Sequence, residues 1–352
     1  MKRRDFLQVL GTGCWGLCGV SLSRAGADVF VERWSWAMGQ PVHVMVFAGS
    51  EQEGLDGCAA ALAELRRVEQ RLTLFDDASD LCELNRCAGR KPLRVDHDLR
   101  AVLALAARFK RQSGGGGGGG GGFDVAVEPL MRTWGFHRPR STAPTSAELA
   151  EAREAVAAAV VELDGEVARL PSAHTQLDFG SIGVGYGIDR ALTVLSGRGV
   201  SRAFIDVSGD VAALGAPPGE RGWLVEIADP DRRGTTVAHT HLRDAALATA
   251  ANTESILRYG SLIVGHVMDP ATGWPARALM QASVVARTAT AADALSTAML
   301  VTGKEPAGVQ RSFAVRASGR LQPGDPGRPT SPRTASRSSS IPSSSRALVT
   351  IT

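Results

Sequence analysis

The stretch that decides the fold runs from Asp178 to Ala191 and reads DFGSIGVGYGIDRA. An apolar, strand-like segment precedes it, and a helical pattern begins at Ile188. Four glycines within eight positions leave a strand-to-helix turn without side chains, so a ligand can approach the backbone closely. Free N–H groups at a helix start also suit a phosphate. The spacing is not that of the dinucleotide fingerprint GxGxxG, and a turn that needs glycine only for tight packing is the alternative interpretation.

The composition indicates a globular protein. The 352 residues are 44% hydrophobic and 21% charged, enough for a substantial core in one large domain or two ordinary ones. A net charge of +3 and an aromatic content of 5% do not favour nucleic-acid binding. The three cysteines after residue 27 have no CxxC spacing, which predicts neither a disulfide framework nor a zinc site.

The N-terminus has the parts of an export signal. Lys2, Arg3 and Arg4 form a twin-arginine pattern, residues 9–22 are weakly apolar, and residues 25–27 offer a small-residue cleavage site. The apolar run is too short and too rich in glycine for a stable membrane span. The sequence therefore predicts a signal peptide over residues 1–27 and a periplasmic location, with a lipid anchor on a cysteine of this segment less favoured.

Hydrophobic periodicity predicts a mixture of helices and strands. Alternation predicts one strand from Phe30 to Ala48, and leucines at helical spacing predict a helix over residues 54–74. Further helices are expected at residues 79–85, 99–109, 147–160, 188–196 and 291–301. Further strands are expected at residues 203–207, 211–214, 223–228, 262–264 and 282–286, with a hairpin at 163–167.

Two segments show no such period. Gly114–Gly122 is a run of nine glycines, which predicts a flexible loop because each glycine loses much backbone entropy on folding. After Lys304 proline, arginine and serine dominate. Residues 304–352 are therefore predicted to be a disordered tail, and the folded domain is predicted to span residues 28–303.

Asp293 and Thr297 form a pair with metal-ligand chemistry. They lie four positions apart on a predicted helix, so both project from one face. With a backbone carbonyl from the glycine-rich stretch they would form an all-oxygen set suited to Mg²⁺. The alternative is an acidic residue favoured by the helix dipole and a threonine on a core face.

His266 and Asp269 share a predicted turn. A histidine beside a carboxylate is a plausible acid–base pair. The sequence from Asp269 to Gly273 is also strong β-turn chemistry, in which His266 would be incidental. No GxSxG elbow occurs, so a nucleophilic hydrolase is not indicated.

Taken in chain order, these motifs resemble those of the FAD:protein FMN transferase (ApbE-type) family. The similarity covers about residues 30–303. It is carried by eight pieces: Met38-Gly39, Thr73-Leu74-Phe75 with Leu84-Asn85, Gly122-Phe123-Asp124 through Trp134-Gly135-Phe136, Asp178 to Ala191, Asp206 to Leu214, Ala246 to Ser255, Gly265 to Gly273, and Ala292 to Val301.

The resemblance implies a fold and an activity. The fold would be a single α+β domain of mixed sheets flanked by helices. The activity would be Mg²⁺-dependent transfer of FMN from FAD to a Thr or Ser hydroxyl of an exported acceptor flavoprotein, with release of AMP. A non-catalytic FAD-binding accessory protein and an FAD pyrophosphatase that yields FMN and AMP are the alternatives.

The resemblance also implies a metal site and a base. Asp293 and Thr297 look like the metal ligands, joined by a backbone carbonyl between Ser181 and Gly183. His266 matches the functionally important histidine of the family and is the candidate base, with Asp269 orienting its turn.

A larger set of positions is implied to contact FAD. Phe75 stands where an aromatic side chain stacks on the flavin, and His266 also belongs to the set. Val184 stands where the family often has lysine. The other positions are Met38, Gly122, Phe123, Asp124, Asp178, Gly180, Gly185, Asp210 and Thr249.

Overall fold

A computed structural model describes residues 24–25, 28–114, 121–232, 234–253, 255–316 and 348–351. The predicted signal peptide lies outside these residues except for 24–25, as do residues 115–120 of the glycine run and residues 317–347 of the predicted tail.

The described residues form seven helices and sixteen strands. The helices are α1 (Glu51–Leu72), α2 (Asp80–Cys87), α3 (His97–Gln112), α4 (Glu128–Trp134), α5 (Ser146–Ala157), α6 (Gly183–Gly197) and α7 (Ala289–Thr302). The strands are β1 (Arg24–Ala25), β2 (Asp28–Ala37), β3 (Gln40–Ala48), β4 (Leu93–Arg94), β5 (Glu162–Asp164), β6 (Val167–Arg169), β7 (Arg202–Val207), β8 (Asp210–Leu214), β9 (Trp223–Ala228), β10 (Thr236–Leu242), β11 (Ala245–Ala251), β12 (Ile256–Tyr259), β13 (Leu262–Gly265), β14 (Gln281–Ala286), β15 (Arg311–Val315) and β16 (Leu348–Ile351).

Eight strands form one antiparallel sheet in the order β1-β2-β3-β7-β8-β11-β14-β15. Its residues alternate between two cores, as a pleated strand requires. On β7, for example, Ile205 joins the core that includes helices α1, α6 and α7, whereas Phe204 joins a second core around Trp223 of β9. The three helices therefore cover one face of the sheet, and the small sheet β10-β9-β16 covers the other.

The prediction of a single strand from Phe30 to Ala48 is wrong. The segment is a hairpin of β2 and β3, with Ala37 paired to Gln40 across a two-residue loop. Met38 and Gly39 both have positive φ, 56° and 70°, and such turns match the right-handed twist of the flanking strands. Alternation continues on both sides of so short a turn, so the hydrophobic pattern alone hides it.

Helix α7 is buried almost all round. Ten of its residues are buried, because it lies between α6 and the strands β11 and β14. Its first turn is capped by Thr288, whose hydroxyl accepts a hydrogen bond from the Ala291 N–H. Among the described residues no helix is both long enough and apolar enough to cross a membrane.

Two other helices also begin at side-chain caps. Ser79 accepts a hydrogen bond from the Cys82 N–H at the start of α2. Thr145 and Glu148 form a reciprocal capping box at the start of α5. The hairpin predicted at residues 163–167 is formed by β5 and β6.

The predicted end of the domain at residue 303 is too early. Strand β15 follows the predicted boundary and pairs with β14 over five residues, from Gln281–Val315 to Val285–Arg311. It forms the edge strand of the main sheet. The serine- and arginine-rich composition of the region gives no sign of this strand. Further on, β16 pairs in parallel with β9. The prediction of disorder is therefore wrong for residues 311–315.

Candidate active site

A buried carboxylate on α7 lies at the start of α6. The Gly185 N–H donates a hydrogen bond to Asp293 Oδ2 at 3.0 Å. The two helices approach this closely because Gly185 has no side chain: a Cβ there would lie 2.4 Å from the carbonyl oxygen of Ala289. Burial, together with the charge of Asp210, raises the pKa of Asp293 well above its ordinary value.

Asp210 is the second carboxylate of this group. It begins β8 directly after a tight turn in which Ser208 and Gly209 have positive φ. Its Oδ1 accepts a hydrogen bond from the Thr249 N–H at 3.2 Å. Burial, with a smaller contribution from the carboxylate of Asp206, raises the pKa of Asp210 to about 7, although the hydrogen bond from Thr249 opposes the shift. The structure thus brings four predicted site positions together: residues 185, 210, 249 and 293.

The other predicted metal ligands are close in sequence to Asp293 or Gly185. Thr297 lies one turn after Asp293 on α7 and is half-buried. Gly183 is the first residue of α6, and Ser181 is half-buried in the loop before it. The Gly183 N–H donates to the Phe179 carbonyl at 2.7 Å, which makes this loop a tight turn. Their roles as metal ligands stay predictions.

The chemistry of the Asp210 and Asp293 carboxylates suits a divalent cation. Burial and neighbouring acidic groups raise the pKa of both Asp210 and Asp293. No lysine or arginine among the described residues forms an ion pair with either carboxylate. Buried carboxylates without a cationic partner are costly, and oxygen donors of this kind suit Mg²⁺. The donor chemistry therefore agrees with the predicted metal.

A large cavity is lined by residues outside this group. Its volume is about 990 Å³, and its lining includes Phe75, Asn85, Glu128, His137 and Gln176, but neither Asp293 nor His266. A pocket of this size is within the range of cofactor sites. Phe75 is 83% exposed at the cavity, as an aromatic available for stacking on a ligand must be.

Asp178 connects the cavity to the glycine-rich loop. Its N–H donates to the Val125 carbonyl at 2.7 Å, and its Oδ1 accepts a hydrogen bond from the Gly180 N–H at 2.8 Å. Its Oδ2 lies 4.0 Å from His137 Nε2. Burial raises the pKa of Asp178, although the nearby His137 opposes this shift.

His137 is held between two carboxylates. Its Nδ1 lies 2.5 Å from Glu128 Oε2, and its ring packs edge-on against Phe75 with ring centres 5.5 Å apart. Burial disfavours the charged imidazole, but the hydrogen bond with Glu128 and the charge of Asp178 outweigh it, so the pKa of His137 is raised.

Of the remaining residues predicted to contact FAD, some are buried in the core and others are exposed. Met38 packs over α6, its sulfur 3.5 Å from the place of a Cβ on Gly187. Gly122 is buried against α7, where a Cβ would lie 2.4 Å from the Ala298 carbonyl oxygen. The Val184 side chain is 9% exposed, whereas Gly180 is exposed. Gly122 thus sets how closely its loop approaches the helix that carries Asp293.

Phe123 and Asp124 follow at once in the chain but face different surroundings. Phe123 is 1% exposed and packs edge-to-face on Phe109, so its side chain serves the core rather than a ligand surface. Asp124 accepts a hydrogen bond from the Ala126 N–H and pairs with Lys110 at 2.6 Å.

His266 and Asp269 do not form the predicted acid–base pair. Asp269 accepts hydrogen bonds from the Ala271 N–H and the Thr272 hydroxyl, and thus stabilises its own turn, as the alternative interpretation of this motif predicts. His266 Nδ1 is buried without a hydrogen-bond partner in the described part of the chain. Burial lowers the pKa of His266, although a backbone hydrogen bond with Ser255 opposes the shift.

Sequence reasoning missed three residues at this site. Glu128 and His137 meet only because the chain reverses after α4, and nothing in their spacing marks them as partners. Asp189 accepts hydrogen bonds from the Ala289 N–H, the Thr290 N–H and the Thr290 hydroxyl, and so ties α6 to the start of α7. Its partners are about 100 positions away in sequence, so no local pattern could reveal them.

The family of the chain follows from comparison with known proteins. A sequence model described as the ApbE family matches residues 38–313, which is most of the chain. The chain belongs to the ApbE family. The matched segment ends within β15, which agrees with the later domain boundary found in the structure.

Curated relatives support the same assignment. A protein of Treponema pallidum named FAD:protein FMN transferase is 31% identical over 267 residues, covering 70% of this chain and 72% of the relative. A protein of the same name from Haemophilus influenzae is 27% identical over 256 residues, covering 70% and 72%. The predicted family and enzyme class are therefore confirmed.

A solved structure shows the same fold. The crystal structure of the ApbE protein from Thermotoga maritima superposes with a TM-score of 0.69 at 26% identity, covering 78% of this chain and 87% of that one. The predicted single α+β domain is thus confirmed for the described residues.

Proposed function

We propose that this chain transfers FMN from FAD to a Thr or Ser hydroxyl of an acceptor flavoprotein, with Mg²⁺ as the metal and AMP as the second product. The observation that carries the proposal is the buried pair of Asp210 and Asp293 at the start of α6. The names of its curated relatives, FAD:protein FMN transferase, support the reaction class.

In the proposed reaction the acceptor hydroxyl oxygen attacks the phosphorus of the FMN half of FAD. The new bond joins that oxygen to phosphorus, and the bond from the same phosphorus to the bridging pyrophosphate oxygen breaks, so AMP leaves. A bound Mg²⁺ would neutralise the charge of the pyrophosphate. The side chains of Asp293 and Thr297, with a carbonyl of the Ser181–Gly183 loop, would hold the ion.

The protein supplies positioning and a proton acceptor. Phe75 offers its exposed ring to the flavin at the mouth of the 990 Å³ cavity. His266 is the candidate base, because its buried Nδ1 has no hydrogen-bond partner among the described residues.

The proposal extends to location. The twin-arginine pattern at residues 2–4 favours export as a folded protein, and a periplasmic site would place the enzyme with exported acceptors. A fusion of residues 1–27 to a reporter, compared with a copy in which Arg3 and Arg4 are lysine, tests this location. Export that is independent of the two arginines would contradict the twin-arginine route.

The direct test is covalent labelling. The purified protein is incubated with FAD, Mg²⁺ and an acceptor flavoprotein. A parallel reaction with the Treponema pallidum relative serves as the positive control for labelling of that acceptor. In-gel flavin fluorescence should appear on the acceptor and be absent from a copy whose target Thr is Ala, and AMP should be released in equal amount.

The same reactions separate the alternatives. FMN and AMP appearing without acceptor would identify an FAD pyrophosphatase, in which water replaces the hydroxyl. FAD that binds but stays intact with Mg²⁺ and acceptor would identify an accessory protein. Either result would reject the transferase.

A further inference from the structure

Helix α4 and the chain reversal that follows it bring the carboxylate of Glu128 and the imidazole of His137 together. Helix α4 begins at Glu128 and ends at Trp134, and the residue that caps it, Gly135, has a φ of 98°, a conformation that suits glycine. The chain then folds back, and the Trp134 side chain is fixed by donating its indole N–H to the Gly273 carbonyl at 2.7 Å. As a result His137 returns to the first residue of the helix, with Nδ1 2.5 Å from Glu128 Oε2.

A second carboxylate reaches the same imidazole from another segment. Asp178 is fixed by its backbone bond to Val125, and its Oδ2 lies 4.0 Å from His137 Nε2. One donor atom from each of Glu128, His137 and Asp178 lies within 4.8 Å of the other two. Around a single ion with bonds of about 2.0–2.2 Å, ligand atoms lie up to roughly 4 Å apart, so the three donor atoms would have to move closer together when an ion binds.

The burial of these groups distinguishes them from a surface cluster. The side chains of Glu128, Asp178 and His137 are 2%, 14% and 17% exposed. Arg132 pairs with Glu128 through Oε1 only, and Oε2 faces the imidazole. Two buried carboxylates against one partly exposed arginine leave a negative charge that a proton on His137 or a metal ion can balance.

We propose that Glu128, His137 and Asp178 form a binding site for a divalent transition-metal ion such as Zn²⁺ or Co²⁺. One imidazole nitrogen and two carboxylates suit these ions, whereas Mg²⁺ prefers oxygen ligands alone. Three protein ligands leave a coordination position open, and Glu128 and His137 line the 990 Å³ cavity, so a further ligand could enter there. The site is separate from the Asp210 and Asp293 pair and does not depend on the proposed transferase reaction.

Cobalt absorption provides a direct readout. Tag-free protein without flavin or Mg²⁺ is titrated with Co²⁺, and visible d–d bands are recorded; equilibrium dialysis with Zn²⁺ gives the stoichiometry and the dissociation constant. We expect one ion per chain and ligand-field bands of a nitrogen- and oxygen-ligated ion. His137→Gln, which keeps a polar side chain of similar size, should abolish the bands and weaken Zn²⁺ binding by about 100-fold or more, since loss of even an orienting partner costs roughly 10–100-fold.

Two kinds of control make the result specific. His97→Gln alters an exposed histidine outside both the triad and the cavity lining, and should leave the bands and the dissociation constant unchanged. Asp293→Asn should also leave them unchanged, which separates this site from the proposed Mg²⁺ site. Thermal unfolding of each variant verifies that it is folded.

Three outcomes would overturn the proposal. Wild-type protein that retains less than stoichiometric Zn²⁺, bands that persist in His137→Gln, or bands that vanish in His97→Gln would each show that the triad binds no metal. The cluster would then be an ion pair in which a protonated His137 bridges the two carboxylates.

Discussion

Asp293 and Gly185 are joined by a hydrogen bond across 108 positions of sequence, from the Gly185 N–H to Asp293 Oδ2 at 3.0 Å. The bond links the glycine-rich turn at the start of α6 to the acidic residue of α7. Without side chains at this crossing, the two helices approach until backbone nearly meets backbone, since a Cβ on Gly185 would lie 2.4 Å from the Ala289 carbonyl. Gly185 therefore serves packing, and the same packing brings the Asp293 carboxylate to the start of α6.

Replacing Gly185 by alanine should separate the two helices. Because the added methyl group has no space against backbone atoms, we expect a loss of about 2–4 kcal/mol in the free energy of unfolding and a labelling rate at least tenfold lower. Gly197→Ala at the end of the same helix is the matched control, because a Cβ there meets nothing within 4 Å. Urea unfolding should show that control as neutral or slightly stabilised. Equal stability of the two variants would contradict the tight crossing.

Asp293→Asn should separate activity from stability. The amide keeps an oxygen for the Gly185 N–H but removes a buried negative charge, so metal-free protein should be as stable as the wild type or more so at pH 8. Flavin labelling at saturating FAD and 5 mM Mg²⁺, a concentration chosen to be in large excess, should fall by about 100-fold or more. Both quantities are measured on the same preparation, by thermal unfolding and by in-gel fluorescence. Unchanged labelling would remove Asp293 from the metal site.

The pH dependence of metal-free stability reports on Asp210. Burial raises its folded-state pKa to about 7 from an ordinary value of 3.8, so the native state holds a proton that the unfolded state has lost. The stability from this group is full below about pH 4, declines as pH rises through the window between the two values, and is lost above about pH 7. In EDTA, wild-type protein should therefore lose about 1–3 kcal/mol more than Asp210→Asn between pH 5 and pH 8.

Magnesium should reverse that decline. A cation bound at the carboxylate pair favours the ionised form, so added Mg²⁺ should raise the unfolding temperature more at pH 8 than at pH 5. Asp210→Asn should reduce this difference. A Mg²⁺ effect that is the same at both pH values would show that the ion binds elsewhere.

The sequence predicted most helices and the family, because each depends on local patterns. Helix α7, for example, follows from its own apolar run and its Asp293–Thr297 spacing. The predicted helix start at Ile188 is too late, since Gly183, Gly185 and Gly187 lie in α6 rather than in a turn before it. Two features could not be read locally. The turn at Met38 and Gly39 interrupts no alternation, and the partners of Asp189 lie on another helix.

The candidate site shows the same division. Asp293, Asp210 and Thr249 were predicted through family motifs, and the structure brings them together. The Glu128–His137 contact was not predicted, since it depends on a left-handed Gly135 and on the packing of Trp134. The expected pairing of His266 with Asp269 also failed, because turn chemistry uses both oxygens of the carboxylate.

The C-terminal boundary can be tested by truncation. Strand β15 covers the edge of β14, all six of whose residues are buried, so a chain ending at Gly303 would expose a long apolar sheet edge. We expect that chain to aggregate or to unfold at a temperature lower by 10 °C or more, a shift on the order of several kcal/mol. A chain ending at Arg316 keeps every backbone pair between β14 and β15 and should stay monodisperse with Mg²⁺-dependent labelling. Size-exclusion chromatography and thermal unfolding compare the two. If the shorter chain is as stable and as monodisperse as the longer one, β15 contributes nothing to the domain, and the boundary expected from composition at residue 303 stands.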